Sequence, residues 1–270
     1  MFSIPELQDR IAVADAVGAV RADGVHFLPG LLSADTLLGL QQDWKTAFGS
    51  TGPGVHPSRH PPGRMITLDM QQLAPDACPA LRALFGAQVF DAIARGLNPQ
   101  WRGPGQRVSL THEYEAVPIT DLHFDAVRSL KFLVYLRDTD VANGAFGYLK
   151  GSHRENTSYR ETYLSAGGHL LDLQNVSETP AFDDPAIEWL PGPAGSLIVF
   201  DTDGWHAAGC LAKGRERQVV RSRSVFPGQP ALWPRRWTPQ WLCRKLGVFH
   251  PRPPFELPGR RRSAGTSRKA

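Results

Sequence analysis

The amino-acid sequence predicts an α+β fold that is mainly β, with a double-stranded β-helix (jelly-roll) core and flanking N-terminal helices. Two features of the 270-residue chain support this prediction. Before Arg107, apolar residues recur mainly at helical spacing, whereas after it the chain changes to short apolar or alternating runs broken by Gly, Pro, Asn and Asp. Helices followed by a run of strands indicate an α+β domain, and short strands with frequent turns are typical of sandwiches and jelly rolls.

The elements before the core follow from apolar spacing and turn residues. Residues 5–22 are predicted to form a helix, and Gly24–Gly30 a short strand that ends in a turn. Ser33 is a candidate N-cap for a second helix, because its hydroxyl can accept a hydrogen bond from a first-turn N–H group. A third helix is predicted over about residues 79–96. The Gly- and Pro-rich residues 49–64 are predicted to be a long loop.

The strands of the core are predicted from runs that end at turn-forming residues. They cover Val108–Tyr114, Leu130–Leu136, Gly144–Lys150, Gly195–Phe200 and Gln218–Phe226. After Pro227 the chain becomes rich in Pro and Arg, and its tryptophans are expected to pack one last short helix onto the core.

Composition indicates one globular domain. Hydrophobic residues make up 41% of the chain and charged residues 21%, and 270 residues are enough to bury a large core. We expect a single domain over residues 1–250, with its jelly-roll core at about 105–227, and a basic, disordered tail over 251–270. No apolar run approaches the ~20 residues of a membrane helix. The N-terminus does not resemble a signal peptide, and the three cysteines lack a disulfide or zinc pattern, so a cytoplasmic location is expected.

The basic charge of the chain does not indicate a nucleic-acid partner. The net charge is +4 and the pI about 9.1, and much of the excess lies in the C-terminal tail. No aromatic residues interleave with these basic residues to stack on bases, so a solvated tail is favoured over a nucleic-acid interface.

A candidate metal centre is indicated by Leu122-His123-Phe124-Asp125 together with a distant His206. On an extended segment, residues two apart share one face, so His123 and Asp125 can reach one ion while Phe124 turns away. Two imidazoles and one carboxylate are the ligands of the facial triad that binds non-heme Fe(II). Facing strands of a small barrel are expected to bring His206 to the other two. Singly, each residue is equally consistent with a surface pair or a satisfied histidine, and their joint order favours the metal site.

An arginine close to this site is a candidate clamp for a carboxylate. Arg217 follows His206, and a guanidinium can grip a carboxylate with two parallel hydrogen bonds. A metal with such a clamp suggests an oxygenase that uses a 2-oxo acid as co-substrate. Arg221 shares a strand face with Arg217 and is the alternative clamp; the spacing from His206 favours Arg217.

The chain resembles the phytanoyl-CoA dioxygenase-like family of Fe(II)/2-oxoglutarate-dependent oxygenases over roughly residues 22–226. The His123–Asp125 motif is similar to the family's first metal motif, and Gly195–Phe200 followed by His206 is similar to its second. Residues 143–153, ending in Gly-Ser-His, are similar to its Asn-Gly to Pro-Gly-Ser-His segment, with lysine where proline is usual. Arg217 falls at the family's 2-oxoglutarate arginine.

The resemblance implies an Fe(II) cofactor, 2-oxoglutarate as co-substrate and dioxygen, with His123, Asp125 and His206 as metal ligands and catalytic centre. It implies hydroxylation of a small molecule with release of succinate and carbon dioxide. Related halogenases have a small residue in place of the carboxylate, so Asp125 favours hydroxylation. Two alternatives remain: a cupin-like metal enzyme that does not use 2-oxoglutarate, and a non-catalytic jelly-roll binding module.

Further site residues are expected around this centre. Lys131 and Tyr135 share a face of one strand and are candidates for binding the far end of 2-oxoglutarate. The loop 49–64 and the segment 154–185 are expected to cover the substrate pocket. Candidate substrate contacts within or beside these segments are His56, His60, Arg64 and Arg160. The expected partner is a small-molecule substrate, and the sequence does not determine its identity or the oligomeric state.

Overall fold

The computed structural model describes residues 4, 6–58, 63–114, 120–166 and 180–224. Five helices in these ranges alternate with the first three strands, and the sixth lies between two later strands of the core. The helices in this part of the chain are α1 (Glu6–Arg10), α2 (Val13–Asp23), α3 (Ala34–Gly49), α4 (Pro79–Phe85), α5 (Gln88–Leu97) and α6 (Ser152–Ser165). None of the helices in these ranges is long and apolar enough to cross a membrane.

Eleven strands in the described ranges form two sheets. The strands are β1 (Val25–Leu28), β2 (Val55–Ser58), β3 (Gly63–Asp69), β4 (Arg107–Tyr114), β5 (Thr120–His123), β6 (Leu130–Tyr135), β7 (Phe146–Leu149), β8 (Ile187–Leu190), β9 (Leu197–Asp201), β10 (His206–Ala208) and β11 (Glu216–Arg223). The larger sheet has the order β1-β9-β6-β11-β4-β3-β2, and the smaller has the order β5-β10-β7-β8.

The two sheets pack as a jelly roll whose barrel is not closed. Side chains from both sheets fill its interior, among them Tyr135 and Val219 from the larger sheet and Phe146 and Tyr148 from the smaller. The opposite face of the larger sheet packs on the helices through a second apolar cluster that includes Val220. Alternate residues of β6 and β11 therefore belong to different cores, as the two-residue period of a strand requires. The predicted fold class is confirmed.

Several predicted elements have different boundaries in the structure. The helix expected over 5–22 is two helices, α1 and α2, and the helix expected over 79–96 is interrupted at Ala87, whose backbone is extended. The prediction of one long loop over 49–64 is wrong in part, because β2 forms there and pairs with β3. Ser33 caps α3 as predicted, since its side chain accepts a hydrogen bond from the Thr36 N–H. The last helix and the tail, predicted beyond Pro227, lie outside the described residues.

Candidate metal centre

Three side chains that could ligate a metal meet where β5 ends and β10 begins. His123 is the last residue of β5, His206 is the first of β10, and the two are directly opposite each other. Asp125 lies two residues after His123, and its N–H donates to Thr202 O at 2.9 Å. One ligand atom from each of the three side chains lies within 4.8 Å of the others. The histidines thus reach each other across neighbouring strands of one sheet, and not across the facing strands that the sequence suggested.

The side chains present suitable atoms to one another. Asp125 Oδ1 lies 3.7 Å from His123 Nε2 and 3.8 Å from His206 Nε2. Its other oxygen, Oδ2, accepts a hydrogen bond from Lys131 Nζ at 2.7 Å. His206 Nδ1 lies 2.8 Å from Gly204 O, which assigns the ring hydrogen to Nδ1 and leaves Nε2 as the acceptor. Lys131 and Gly204 therefore fix the orientation of Asp125 and His206.

Electrostatics keep these groups in the forms that bind a metal. Burial disfavours the charged form of the His206 imidazole, and together with His123 it holds the pKa of His206 well below its usual range. Burial works against ionisation of Asp125, but the positive charge of Lys131 and the hydrogen bond that it donates hold the pKa of this carboxyl below its usual range. A neutral imidazole and an ionised carboxylate are the forms that ligate metal ions. The donor set fits the facial triad of non-heme Fe(II).

Phe124, between two of the ligands, anchors the segment to the protein. Its side chain is buried with Leu122, Ile187, Trp205 and Ala207, and its ring lies 5.0 Å from that of Trp205 in an edge-on arrangement. Because alternate residues of an extended segment point in opposite directions, burying Phe124 directs His123 and Asp125 to the other side.

Helix α6 joins the two segments that carry the ligands. Arg160 donates from Nε to Asp203 Oδ1 at 2.9 Å, and its two Nη atoms donate to the main-chain oxygens of Asp125 and Ala126. Asn156 Nδ2 donates to Asp203 O at 2.7 Å, and Thr157 Oγ1 donates to Asp203 Oδ2 at 2.8 Å. Sequence reasoning missed this helix and assigned Arg160 to the substrate. In the structure the Arg160 side chain lies behind the metal segment and is committed to these contacts.

The turn before His206 needs a glycine for close packing. A Cβ atom built on Gly204 would lie 1.8 Å from Tyr148 Oη. Tyr148 is fully buried, and its hydroxyl donates to Asp201 O at 2.9 Å. The tyrosine therefore fixes the turn from inside the jelly roll, and only glycine leaves room for it.

Arg217 lies in the interior of the jelly roll and is paired with Glu113 on the neighbouring strand. Nε donates to Glu113 Oε2 at 2.6 Å, Nη2 donates to the same oxygen, and Nη1 donates to Gly144 O. Both side chains are buried. A guanidinium has five N–H donors, so two of them have no acceptor among the described residues. Nothing in the sequence singled out Glu113, since the pair depends on the register of β4 and β11.

Lys131 and Arg221 lie closer to the metal ligands. Lys131 pairs with Asp125, as described above, and Arg221 Nη2 lies 3.3 Å from the sulfur of Met65. Burial lowers the pKa of the Arg221 guanidinium, and the opposing effect of the Glu113 and Asp125 charges is smaller. Arg221 makes no ion pair within 4.0 Å to a carboxylate in the described ranges.

The remaining candidate residues are placed as follows. Tyr135 is fully buried, accepts from Phe146 N at 2.8 Å and donates to Leu190 O at 2.9 Å, so its hydroxyl is already engaged. Burial raises its pKa to about 12. His56 is exposed on β2, and its register partner is Thr67 of β3. His60 lies outside the described residues, and for Arg64, in β3, only the backbone is described. Of the segment 154–185, residues 167–179 are likewise outside them.

The fold and the metal site define a jelly-roll enzyme with a non-heme metal centre. The chain belongs to the phytanoyl-CoA dioxygenase (PhyH) family, whose model matches residues 21–217. Fe(II) and 2-oxoglutarate are therefore its cofactor and co-substrate, and the His–Asp–His group suits the metal. No curated protein sequence is detectably similar.

Solved structures share the fold. The epimerase SnoN from nogalamycin biosynthesis, in complex with Fe³⁺, α-ketoglutarate and nogalamycin RO, is 19% identical, with a TM-score of 0.55 over 79% of this chain and 83% of that one. The carbocyclase SnoK from nogalamycin biosynthesis is 15% identical, with a TM-score of 0.56 over 92% and 94%. HygX from Streptomyces hygroscopicus, with nickel and 2-oxoglutarate bound, is 13% identical, with a TM-score of 0.55 over 81% and 89%. These similarities show that the fold is shared. The similar proteins include an epimerase and a carbocyclase, so proteins of this fold catalyse more than one type of reaction.

Proposed function

We propose that this protein is an Fe(II)/2-oxoglutarate-dependent dioxygenase that hydroxylates a small molecule, with release of succinate and carbon dioxide. The observation that carries the proposal is the convergence of His123, Asp125 and His206 at the junction of β5 and β10. When bound, iron and 2-oxoglutarate activate dioxygen to oxidise a substrate C–H bond. The presence of the Asp125 carboxylate favours hydroxylation over halogenation, because the carboxylate fills the place that a halide would need.

In this proposal the three side chains each supply one ligand atom, and two of them are oriented by a second partner. His123 and His206 supply Nε2 atoms, and Asp125 supplies Oδ1 while Lys131 holds Oδ2. A carboxylate that is held by a second partner keeps one geometry when the metal binds. Removing such a partner typically lowers metal affinity by about 10–100-fold, and we expect roughly this loss when the Lys131 ammonium is removed.

Arg217 is the proposed clamp for the distal carboxylate of 2-oxoglutarate. It lies at the family's arginine position, it is buried inside the jelly roll, and two of its N–H donors are left without an acceptor in the described residues. Glu113 holds the guanidinium on one edge and so fixes its direction. The Tyr135 hydroxyl donates to Leu190 O and accepts from Phe146 N, so it has little capacity left to bind 2-oxoglutarate. We assign Tyr135 to the wall of the 2-oxoglutarate pocket.

The test is anaerobic loading with Fe(II) and 2-oxoglutarate, followed by the charge-transfer absorption of the complex and by succinate release on admitting oxygen. We expect both signals in the native protein and neither in His206→Ala. His26→Gln is the matched control, because His26 lies on β1 between two residues that face the jelly-roll interior and so points away from the site. Normal succinate formation by His206→Ala would refute the metal assignment.

The choice of arginine has its own test. An Arg217→Lys variant keeps the charge but lacks the planar fork, so we expect the dissociation constant for 2-oxoglutarate to rise at least about tenfold. The readout is titration of the nickel-loaded protein by calorimetry. Unchanged affinity in Arg217→Lys, with a large loss in Arg221→Lys, would assign the clamp to Arg221.

A further inference from the structure

The larger sheet presents a row of cations toward the metal centre. Residues 217, 219, 221 and 223 of β11 share one face with 131, 133 and 135 of β6. Lys131 is directly opposite Arg223, and Arg221 is opposite Leu133, so Lys131 and Arg221 are diagonal neighbours on that face. Arg223, at the end of the row, is exposed, while Lys131 and Arg221 are half-buried.

Within the described residues, this row has too few carboxylates to neutralise it. Glu113 is committed to Arg217, and both are buried. Asp125 is the partner of Lys131, but as a metal ligand its charge is shared with the ion. Arg221 has no carboxylate within ion-pair distance in the part of the chain that the structure describes. A half-buried guanidinium without a carboxylate partner is costly, so the surface around Arg221 is suited to receive an anion.

The co-substrate does not remove this excess. With iron and doubly charged 2-oxoglutarate bound, the charges of the metal, Lys131, Arg217 and Arg221 still exceed those of Asp125, Glu113 and the 2-oxo acid by one. The exposed Arg223 adds to that excess. Because Lys131 pairs with Asp125 and Arg217 with Glu113, the excess positive charge beside the metal ligands is that of the Arg221 guanidinium.

The surroundings of Arg221 suit recognition of a small polar group. Ser109 is its register partner on β4, and Thr67 follows on β3, so two hydroxyls line the same row. Their oxygen atoms lie 3.4 Å apart. Met65 Sδ accepts a weak hydrogen bond from Arg221 Nη2 at 3.3 Å. A planar fork flanked by hydroxyl groups matches the oxygen atoms of a carboxylate or a phosphate.

We propose that the substrate of this enzyme carries an anionic group, a carboxylate or a phosphate ester, which binds Arg221 with Lys131 beside the metal. This inference rests on the proposed function, since it names the substrate class of the same site. It places the oxidised carbon a short distance from the anionic group, because Lys131 touches both the row of cations and the metal ligand Asp125.

The experiment uses the full chain loaded with nickel and 2-oxoglutarate, which binds ligands without turnover. The probes are phenyl phosphate, phenylacetate and the neutral 2-phenylethanol, and binding is measured by calorimetry and by ligand NMR. We expect one or both anions to bind at least about tenfold more tightly than the alcohol, and the tighter anion identifies the group. Arg221→Gln should weaken that anion at least about tenfold and leave 2-oxoglutarate affinity within about twofold.

Arg95→Gln is the matched control, since Arg95 is an exposed helix residue paired with Asp91, and it should behave like the native protein. Equal binding of the anions and the alcohol would overturn the proposal. So would a tenfold loss of 2-oxoglutarate affinity in Arg221→Gln, because Arg221 would then hold the co-substrate. Failure of the native protein to bind 2-oxoglutarate at all would refute the proposed function itself, and the two failures are therefore distinguishable.

Discussion

Replacing Arg160 by methionine should both destabilise the protein and weaken metal binding. Arg160 Nε lies 2.9 Å from Asp203 Oδ1, and Asp203 is fully buried. The same guanidinium donates to the main-chain oxygens of Asp125 and Ala126. Methionine fills a similar volume but leaves the Asp203 carboxylate without its main partner and two carbonyls without donors.

The magnitude follows from these contacts. Removing one member of a buried ion pair typically costs about 3–5 kcal/mol, because the other charge stays buried without compensation. The loss should fall near the lower end, about 3 kcal/mol, since Arg128 Nε remains 3.5 Å from Asp203 Oδ2 and Thr157 still donates to that oxygen. The Asp125 segment also loses its support, so metal affinity should fall roughly 10–100-fold, as when other partners of metal ligands are removed.

Urea unfolding of the metal-free protein measures the stability change, and calorimetric titration with nickel measures the affinity. Arg95→Met is the control: its exposed pair with Asp91 lies at 2.5 Å on one helix, and such pairs contribute only about 0.3–0.5 kcal/mol. Adding Asp203→Asn to Arg160→Met should recover part of the loss, because a neutral amide is easier to bury than a carboxylate.

A loss of less than about 1 kcal/mol in Arg160→Met would refute the reasoning about the buried charge. Reduced stability with native metal affinity would show that Arg160 supports the fold without holding the ligand segment. No recovery in the double variant would mean that the carbonyl contacts, and not the Asp203 charge, dominate.

Two further predictions concern tight packing and one buried thiol. Gly204→Ala should destabilise the fold by about 2–3 kcal/mol and lower metal affinity, because the new Cβ would lie 1.8 Å from Tyr148 Oη in the turn before His206. Urea unfolding measures the stability and nickel titration the affinity. A variant with native stability and native nickel affinity would contradict this prediction. Burial, followed by the negative charge of Asp43, raises the pKa of the Cys78 thiol to about 11. Iodoacetamide at pH 8 should therefore modify exposed Cys210 well before Cys78, as followed by peptide mass spectrometry. The stability that the Cys78 thiol contributes should fall as pH rises from about 9 to 11, because the folded state holds the thiol proton more tightly than the unfolded state does. Equal labelling rates in the folded protein would refute the burial of Cys78.

Local patterns in the sequence were enough to predict the main strands, because apolar runs and turn residues act over a few neighbouring positions. The same holds for the Ser33 cap and for the turning of Phe124 away from the two candidate ligands beside it. The break at Ala87 and the strand β2 were missed, since both depend on packing and on pairing with a distant strand.

The sequence by itself determined the class of fold, the family and the three residues that can bind a metal, because these are carried by short motifs whose residue types have specific chemistry. Only the tertiary structure decided which charges meet. Arg160 and Asp203 are 43 residues apart in the chain, and Arg217 and Glu113 are 104 apart. Such pairs depend on strand register and on the position of a helix behind the sheet. A shift of one residue in a strand would turn these side chains to the other face, so no local pattern could reveal them.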